Sequence, residues 1–236
     1  MIAIVDGRMP HTAIEELRRL GHEVIPLPPA KGLPAPVASH PDMLFFPAER
    51  EILCTKGYFA TAKEQLLKIS HRADRPIRCI DEEYGEEYPA DVPLNALSLG
   101  GYLFHHPSAT ARVLREGTSC VPVPVRQGYV KCATLPVGNH AMISADPSIL
   151  AAARGVGIDT LAICPDHIRL EGYPYGFIGG CASASPYAET DTVYFCGDVQ
   201  KHPMGKEIAD FCQLHGKEIH ALCALPLTDV GTIFLI

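Results

Sequence analysis

Six polar or reactive residues stand in apolar surroundings: His40 and Asp42 in "SHPDMLFF", Asn95 in "PLNALSLGG", Cys132 in "YVKCATL", Cys181 in "FIGGCASA" and Asp229 in "PLTDVGTIF". Cysteine is the most nucleophilic of these at neutral pH, provided a neighbouring cation or base lowers its pKa. Lys131 adjoins Cys132, and Gly179 and Gly180 precede Cys181, so either thiol fits that role. Carboxylates match a planar cation through two parallel hydrogen bonds, and Asp42 with Asp229 would bracket one. If "SHPDMLFF" is a strand, residues two apart face the same way, so His40 and Asp42 point together and the carboxylate holds the imidazole proton. Each residue also has a plainer reading, as turn hydrogen bonding for the aspartates and core packing for the thiols. His140 follows "VGN" at a hairpin turn. It is the alternative base to His40, and reads first as a turn or surface residue.

These residues act together only if the chain gathers them, and a repeated order of elements argues that it does. From Gly128 the order is strand "YVKCATL", strand "HAMISA", helix "PSILAAARGVG", strand "DTLAIC", with Pro147 favouring the helix start and Gly155 or Gly157 its end. The same order runs through "FIGGCASA", "TVYFCGD", "MGKEIADFCQLHG" and "EIHALC". Two earlier copies are "DMLFFP", "EILCTKG", "ATAKEQLLKIS", "PIRCI" and "ALSLGG", "YLFHH", "SATARVLREG", "SCVPVPV". A fifth copy needs both chain ends: "LPLTDVGTIFLI" leads, and "MIAIVD", "HTAIEELRRLGH" and "EVIPLP" follow. Pairing the last strand with the first unit fastens the termini and protects strand edges. One domain over residues 1–236 follows, with "IDEEYGEEYPADVP" as an acidic loop excursion.

Five β-β-α-β units of this kind resemble the pentein fold of the guanidino-group-modifying enzymes, and more narrowly an uncharacterised bacterial branch of it. The resemblance implies an α/β fold, a five-bladed pseudo-fivefold propeller closed by pairing of the C-terminal and N-terminal strands. It also implies a site at the mouth of the axis, where Asp42, Asn95, Cys132, Cys181 and Asp229 occupy equivalent leading-strand positions. In the enzymes it resembles, a cysteine attacks the central guanidino carbon, and a histidine protonates the departing amine and later activates water or an acceptor. Here Cys132 or Cys181 would take the first role and His40 or His140 the second, with Asp42, Asn95 and Asp229 binding substrate. Those enzymes carry their nucleophile near the C-terminus, where this chain has Thr228 and Asp229, and Cys223 lies just upstream.

Composition narrows the partners. The 236 residues carry a net charge of −7 and no basic cluster, which argues against nucleic acid. No run is long and apolar enough to span a bilayer and no export signal opens the chain, so the expected location is cytoplasmic. Nine cysteines without C-x-x-C spacing or H-E-x-x-H support neither a disulfide framework nor zinc. Six of them (Cys54, Cys79, Cys120, Cys164, Cys196 and Cys212) sit in apolar runs and read as packing thiols. No nucleotide fingerprint is complete, so no cofactor is expected. The expected partner is a small guanidino or amidino cation, with a homo-oligomer left open. Three functions remain: a C–N hydrolase or transferase, a non-catalytic binder of such a cation, and a protein-interaction module. The fold alternative is a doubly wound parallel sheet beginning at "MIAIVDGRMPHTAIEELRRLGHEVIPLP", which lacks the glycine fingerprint after its first strand.

Overall fold

The computed structural model describes residues 1–187 and 190–236. The chain begins with β1 (Ile2–Asp6), α1 (His11–Arg19) and β2 (Glu23–Leu27). It continues through α2 (Pro41–Leu44), β3 (Phe45–Pro47), β4 (Ile52–Thr55), α3 (Lys56–Thr61), α4 (Lys63–Ala73) and β5 (Ile77–Ile80). Next come β6 (Leu97–Leu99), β7 (Tyr102–His105), α5 (Arg112–Gly117) and β8 (Val121–Pro124), then β9 (Thr134–Val137), β10 (Ala141–Ser144), α6 (Pro147–Gly155) and β11 (Asp159–Ala162). The last elements are β12 (Ser183–Ala184), β13 (Thr192–Phe195), α7 (Gly205–Leu214), β14 (Glu218–Ala221) and β15 (Ile233–Leu235).

The repeat is visible in the ladders. In β3-β4-β5, β6-β7-β8 and β9-β10-β11, the first pair is antiparallel and the second parallel across a helix. The chain ends follow the same rule: β15 pairs antiparallel with β1, and β1 parallel with β2. Ile2 and Ile236 exchange backbone hydrogen bonds of 2.7 and 3.0 Å, so the two termini are held together. The remaining unit departs from the rule. Its β13 and β14 are parallel, but β12 meets β13 only through the Ala182–Phe195 bridge and pairs instead, in parallel, with β15. The Ser183 hydroxyl takes the Tyr194 N–H at 2.9 Å, a side chain standing in for a ladder bond. Among the described residues the strands form five open sheets, none closed on itself, and the long parallel sheet of the alternative reading is absent.

Local sequence explains the helices. Asp146 caps α6 by accepting from Ser148 N and Ile149 N, with Pro147 at the first position, where its missing N–H costs nothing. Ala13 and Leu17, four apart on α1, are buried, while Glu15–Arg18 and Glu16–Arg19 pair on the wet face. The helix read over "ATAKEQLLKIS" is two, α3 and α4, and that over "SATARVLREG" shortens to the six residues of α5. After Ile80, which ends β5, the "IDEEYGEEYPADVP" stretch forms no helix or strand.

Phe45 and Phe234 pack ring to ring at 4.9 Å, joining the C-terminal strand to the core of the first complete unit. Phe234→Ala should lower the unfolding free energy by about 3–5 kcal/mol in urea titration, as for other buried aromatic truncations. Leu214→Ala, on a side chain 74% exposed, should stay within about 0.5 kcal/mol of the parent.

Candidate functional site

The sequence reading places the six residues in strands; the structure places them in the turns that feed the strands. Asn95, Cys132 and Cys181 each lie two residues before β6, β9 and β12, while Asp229 precedes β15 and Asp42 is in the single turn of α2. Pro41 at the first helical position favours that turn over an extended chain. Turn bonds hold the others: Thr134 N–H to Lys131 O at 3.1 Å, Gly180 N–H to Phe177 O at 3.2 Å, and Gly231 N–H to the Asp229 carboxylate at 3.0 Å. The expectation that His40 and Asp42 face one way as strand neighbours therefore fails.

The five turns nevertheless converge on a buried polar cluster. Asn95 is its hub. Its Nδ2 donates to Asp42 O (3.2 Å) and to Cys132 Sγ (2.9 Å), and its Oδ1 accepts from the N–H groups of Lys131 (2.8 Å) and Cys132 (3.3 Å). The Lys131 ammonium is 4% exposed and donates to Thr232 Oγ1 (2.9 Å), Gly179 O (3.3 Å) and Thr134 O (3.4 Å). Thr232 Oγ1 lies 2.8 Å from both Asp42 Oδ2 and Gly179 O, and its single proton serves one of them. Asp229 is spent on the backbone, accepting from Phe177 N at 2.8 Å and Gly231 N at 3.0 Å. It does not form a clamp with Asp42.

His40, 2% exposed, sits between two carboxylates: Asp6 Oδ2 is 3.7 Å from Nε2 and Asp229 Oδ1 is 3.7 Å from Nδ1. Asp6 is already gripped by Arg8, through Nη2 at 2.8 Å and Nε at 3.1 Å. His40 Nδ1 and Asp42 Oδ1 have no hydrogen-bond partner, and buried groups in that state are costly. His140 lies exposed in the β9–β10 turn and takes no part. Among the described residues no group of three metal-ligating side chains could hold a metal ion.

Two glycines make the convergence possible. A Cβ on Gly180 would stand 2.0 Å from Asp229 Oδ1, and one on Gly231, whose φ is +67°, would stand 2.1 Å from His40 Cβ. Neither approach tolerates a side chain.

Burial dominates the electrostatics. It pushes the Cys132 thiol well above its ordinary pKa, and the Asp42 and Asp229 carboxylates push further. The Cys181 thiol is likewise raised by burial and donates to Ile178 O at 3.2 Å. Burial raises Asp229, with His40 pulling the other way. Lys131 is lowered by burial, with Asp42 the largest opposing influence. Both thiols are thus held protonated, and a cation belonging to the chain itself sits among the carboxylates.

A cavity of about 780 Å³ reaches this cluster from the hairpin ends. Its wall takes Phe45 from β3, Leu97 from β6, Pro136 from β9, Ala184 from β12 and Phe234 from β15, with Asp42 and Lys131 also lining it. Asn95, Cys132, Cys181, His40 and Asp229 do not. Thr232 and Asp6 are the members that sequence reasoning does not assign, and Lys131 enters it only as the cation beside Cys132; a charged residue ending an apolar strand is the available signal for Asp6, and the "DVGT" turn for Thr232.

The fold matches solved penteins. Over 92% of this chain and 74% of the other it is similar to the inosamine-phosphate amidinotransferase StrB1 from Streptomyces griseus, with a TM-score of 0.54 and 14% identity. For SxtG, an amidinotransferase from Microseira wollei in the saxitoxin biosynthetic pathway, the TM-score is 0.52 at 13% identity, over 94% of this chain and 88% of that one. For dimethylarginine dimethylaminohydrolase from Pseudomonas aeruginosa, complexed with citrulline, it is 0.51 at 10% identity, over 93% and 90%. The chain has the pentein fold. Residues 4–234 match a family of unknown function, DUF6873, and the chain belongs to that family. No curated protein matches it in sequence.

Lys131 yields a pH-dependent expectation. Between its depressed folded pKa and the ordinary lysine value of about 10.4, the unfolded chain holds a proton that the folded chain has released, so stability rises with pH across that window. Urea unfolding of the parent should show that rise against a Lys131→Met control, in which it is missing. Gly180→Ala should cost about 1–3 kcal/mol or more through overpacking against Asp229, read from the same curves.

Proposed function

We propose that the chain binds a small molecule carrying a guanidino or amidino cation in the cavity between its leading strands, with Asp42 as the anchoring carboxylate. The carrying observation is Asp42 itself: it lines the cavity, is 1% exposed, and keeps one carboxylate oxygen without a hydrogen-bond partner. An N–H donor from a planar cation would satisfy that oxygen through a charge-assisted bond, while the Thr232 hydroxyl lies 2.8 Å from the other. The reading treats residues 1–236 as one domain whose five sheets surround the cavity as propeller blades. Support comes from the wall itself, to which each of the five leading strands contributes. The similar solved structures include two amidinotransferases, which favours this ligand class.

A second reading, reaction at a C–N bond, rests on Cys132, whose sulfur lies 2.9 Å from Asn95 Nδ2 in the same cluster. A guanidinium docked on Asp42 would neutralise the charge that helps to keep this thiol protonated, and so favour the thiolate that attacks its central carbon. Binding is the better supported of the two, because without ligand burial holds the Cys132 thiol protonated despite the Lys131 side chain beside it. His40 would be the proton donor, and Cys181, bonded to a carbonyl, the weaker nucleophile.

Agmatine, arginine and simple amidines should raise the melting temperature by several degrees, since a hundredfold excess over Kd stabilises by about 2.7 kcal/mol. Asp42→Asn should abolish the shift. No shift with any of these in the parent would remove the reading. A chloroacetamidine probe followed by peptide mass mapping separates the two readings, with alkylation of Cys132 supporting reaction and an unmodified Cys132 supporting binding alone.

A further inference from the structure

The segments leaving β13 and β14 carry Cys196 and Cys223 side by side. One residue before the cysteines, Leu222 N–H donates to Phe195 O at 2.9 Å; two residues after them, Asp198 N–H donates to Leu225 O at 2.7 Å. These bonds bracket the pair at one spacing on both segments and hold the two thiols close enough to interact. Both pack in the same apolar cluster. Cys196 is fully buried and Cys223 is partly exposed, so one thiol meets solvent and the other waits behind it.

We propose that Cys223 and Cys196 form a peroxide-reactive dithiol, with Cys223 as the attacking thiol and Cys196 as the resolving one. The surroundings of Cys223 stabilise a thiolate. The Cys196 thiol and the Leu225 backbone adjoin it and favour its charged form, and the Lys201 ammonium, anchored on Ala224 O, lies nearby. Together they lower the Cys223 thiol to about 6, against the opposing effect of partial burial. Cys196, buried and donating, is pushed the other way and stays a thiol until needed.

The chemistry balances with hydrogen peroxide as the oxidant. The Cys223 thiolate attacks one peroxide oxygen, the O–O bond breaks, and hydroxide leaves to become water, giving a sulfenic acid at Cys223. Cys196 sulfur then attacks that sulfur, the S–S bond forms, the S–O bond breaks, and the Cys196 proton leaves with the hydroxide as a second water. Two thiols are oxidised to one disulfide and one peroxide is reduced to two waters.

A second thiol pair provides an internal comparison. Cys54 and Cys79 are register partners on β4 and β5, and their thiols also interact. There burial, with Cys79 and Glu83 adding to it, pushes the Cys54 thiol up, and Lys56, the cation near Cys79, is paired with Asp81. Proximity of two sulfurs is common to both pairs; a thiolate-stabilising setting belongs to the Cys196–Cys223 pair.

The unmodified chain tests this directly. After titration with hydrogen peroxide and quenching with iodoacetamide, peptide mapping should find the Cys196–Cys223 disulfide at lower peroxide than any product at Cys54, Cys79, Cys120 or Cys164. At pH 6, without peroxide, iodoacetamide should modify Cys223 about tenfold faster than a thiol of ordinary pKa, after allowing for the lower nucleophilicity of an acidic thiolate. In Cys196→Ser the sulfenic acid should persist at Cys223 and be captured by dimedone. If Cys223 alkylates at pH 6 no faster than Cys79 and Cys120, or peroxide yields no Cys196–Cys223 cross-link before other thiols oxidise, the proposal is overturned.

Discussion

The antiparallel pairing of β15 with β1 is the contact on which the rest depends. It fastens the tail of the chain beside its head, and the turn just before β15 then delivers Asp229, Gly231 and Thr232 to residues near position 40. The Thr232 hydroxyl reaches Asp42 across 190 residues of sequence, and Asp229 comes alongside His40. Gly231 permits this because it has no Cβ to collide with His40. Without that pairing Lys131 would lose its closest acceptor and the floor of the cavity would open.

Desolvation then decides what the cluster can do. Water is excluded, so every donor and acceptor must find a partner within the protein, and nearly all do. The price is chemical: Cys132 and Cys181 are held as thiols, and Lys131 supplies inside the fold the positive charge that a ligand would otherwise bring. His40 Nδ1 and Asp42 Oδ1 are the unmet atoms of the cluster's charged side chains. They mark where an added donor or a shift of a proton would have the largest effect. At Cys196 and Cys223 the balance differs, because one sulfur keeps contact with solvent and a lysine stands near it.

Much of the architecture was legible because each unit repeats the same period change, from alternating strands to a helix and back. The units at "ILCT", "AMIS" and "IAIVD" were found where expected, and the Pro147 and Gly155 signals bounded α6. The site was legible in identity more than in conformation. Isolated polar residues before apolar runs marked Asp42, Asn95, Cys132 and Cys181, yet their backbone was misread as strand. Pattern alone cannot show that Pro41 starts a helical turn, or that Gly179 and Gly180 bend the chain under Asp229. Thr232 and Asp6 stand out locally, one in a turn and one as a charge ending an apolar strand, but their partners do not, since only the folded chain makes them neighbours. The same holds for Cys196, whose apolar run marks a packing thiol and gives no sign of Cys223 beside it.

The central claim, that Asp42 anchors a cationic ligand in the cavity, is tested most directly by a crystal structure grown with agmatine. The account predicts guanidinium density inside the cavity with a nitrogen about 2.7–2.9 Å from Asp42 Oδ1. A cavity holding only solvent, or agmatine bound elsewhere with that oxygen still unpartnered, would contradict it.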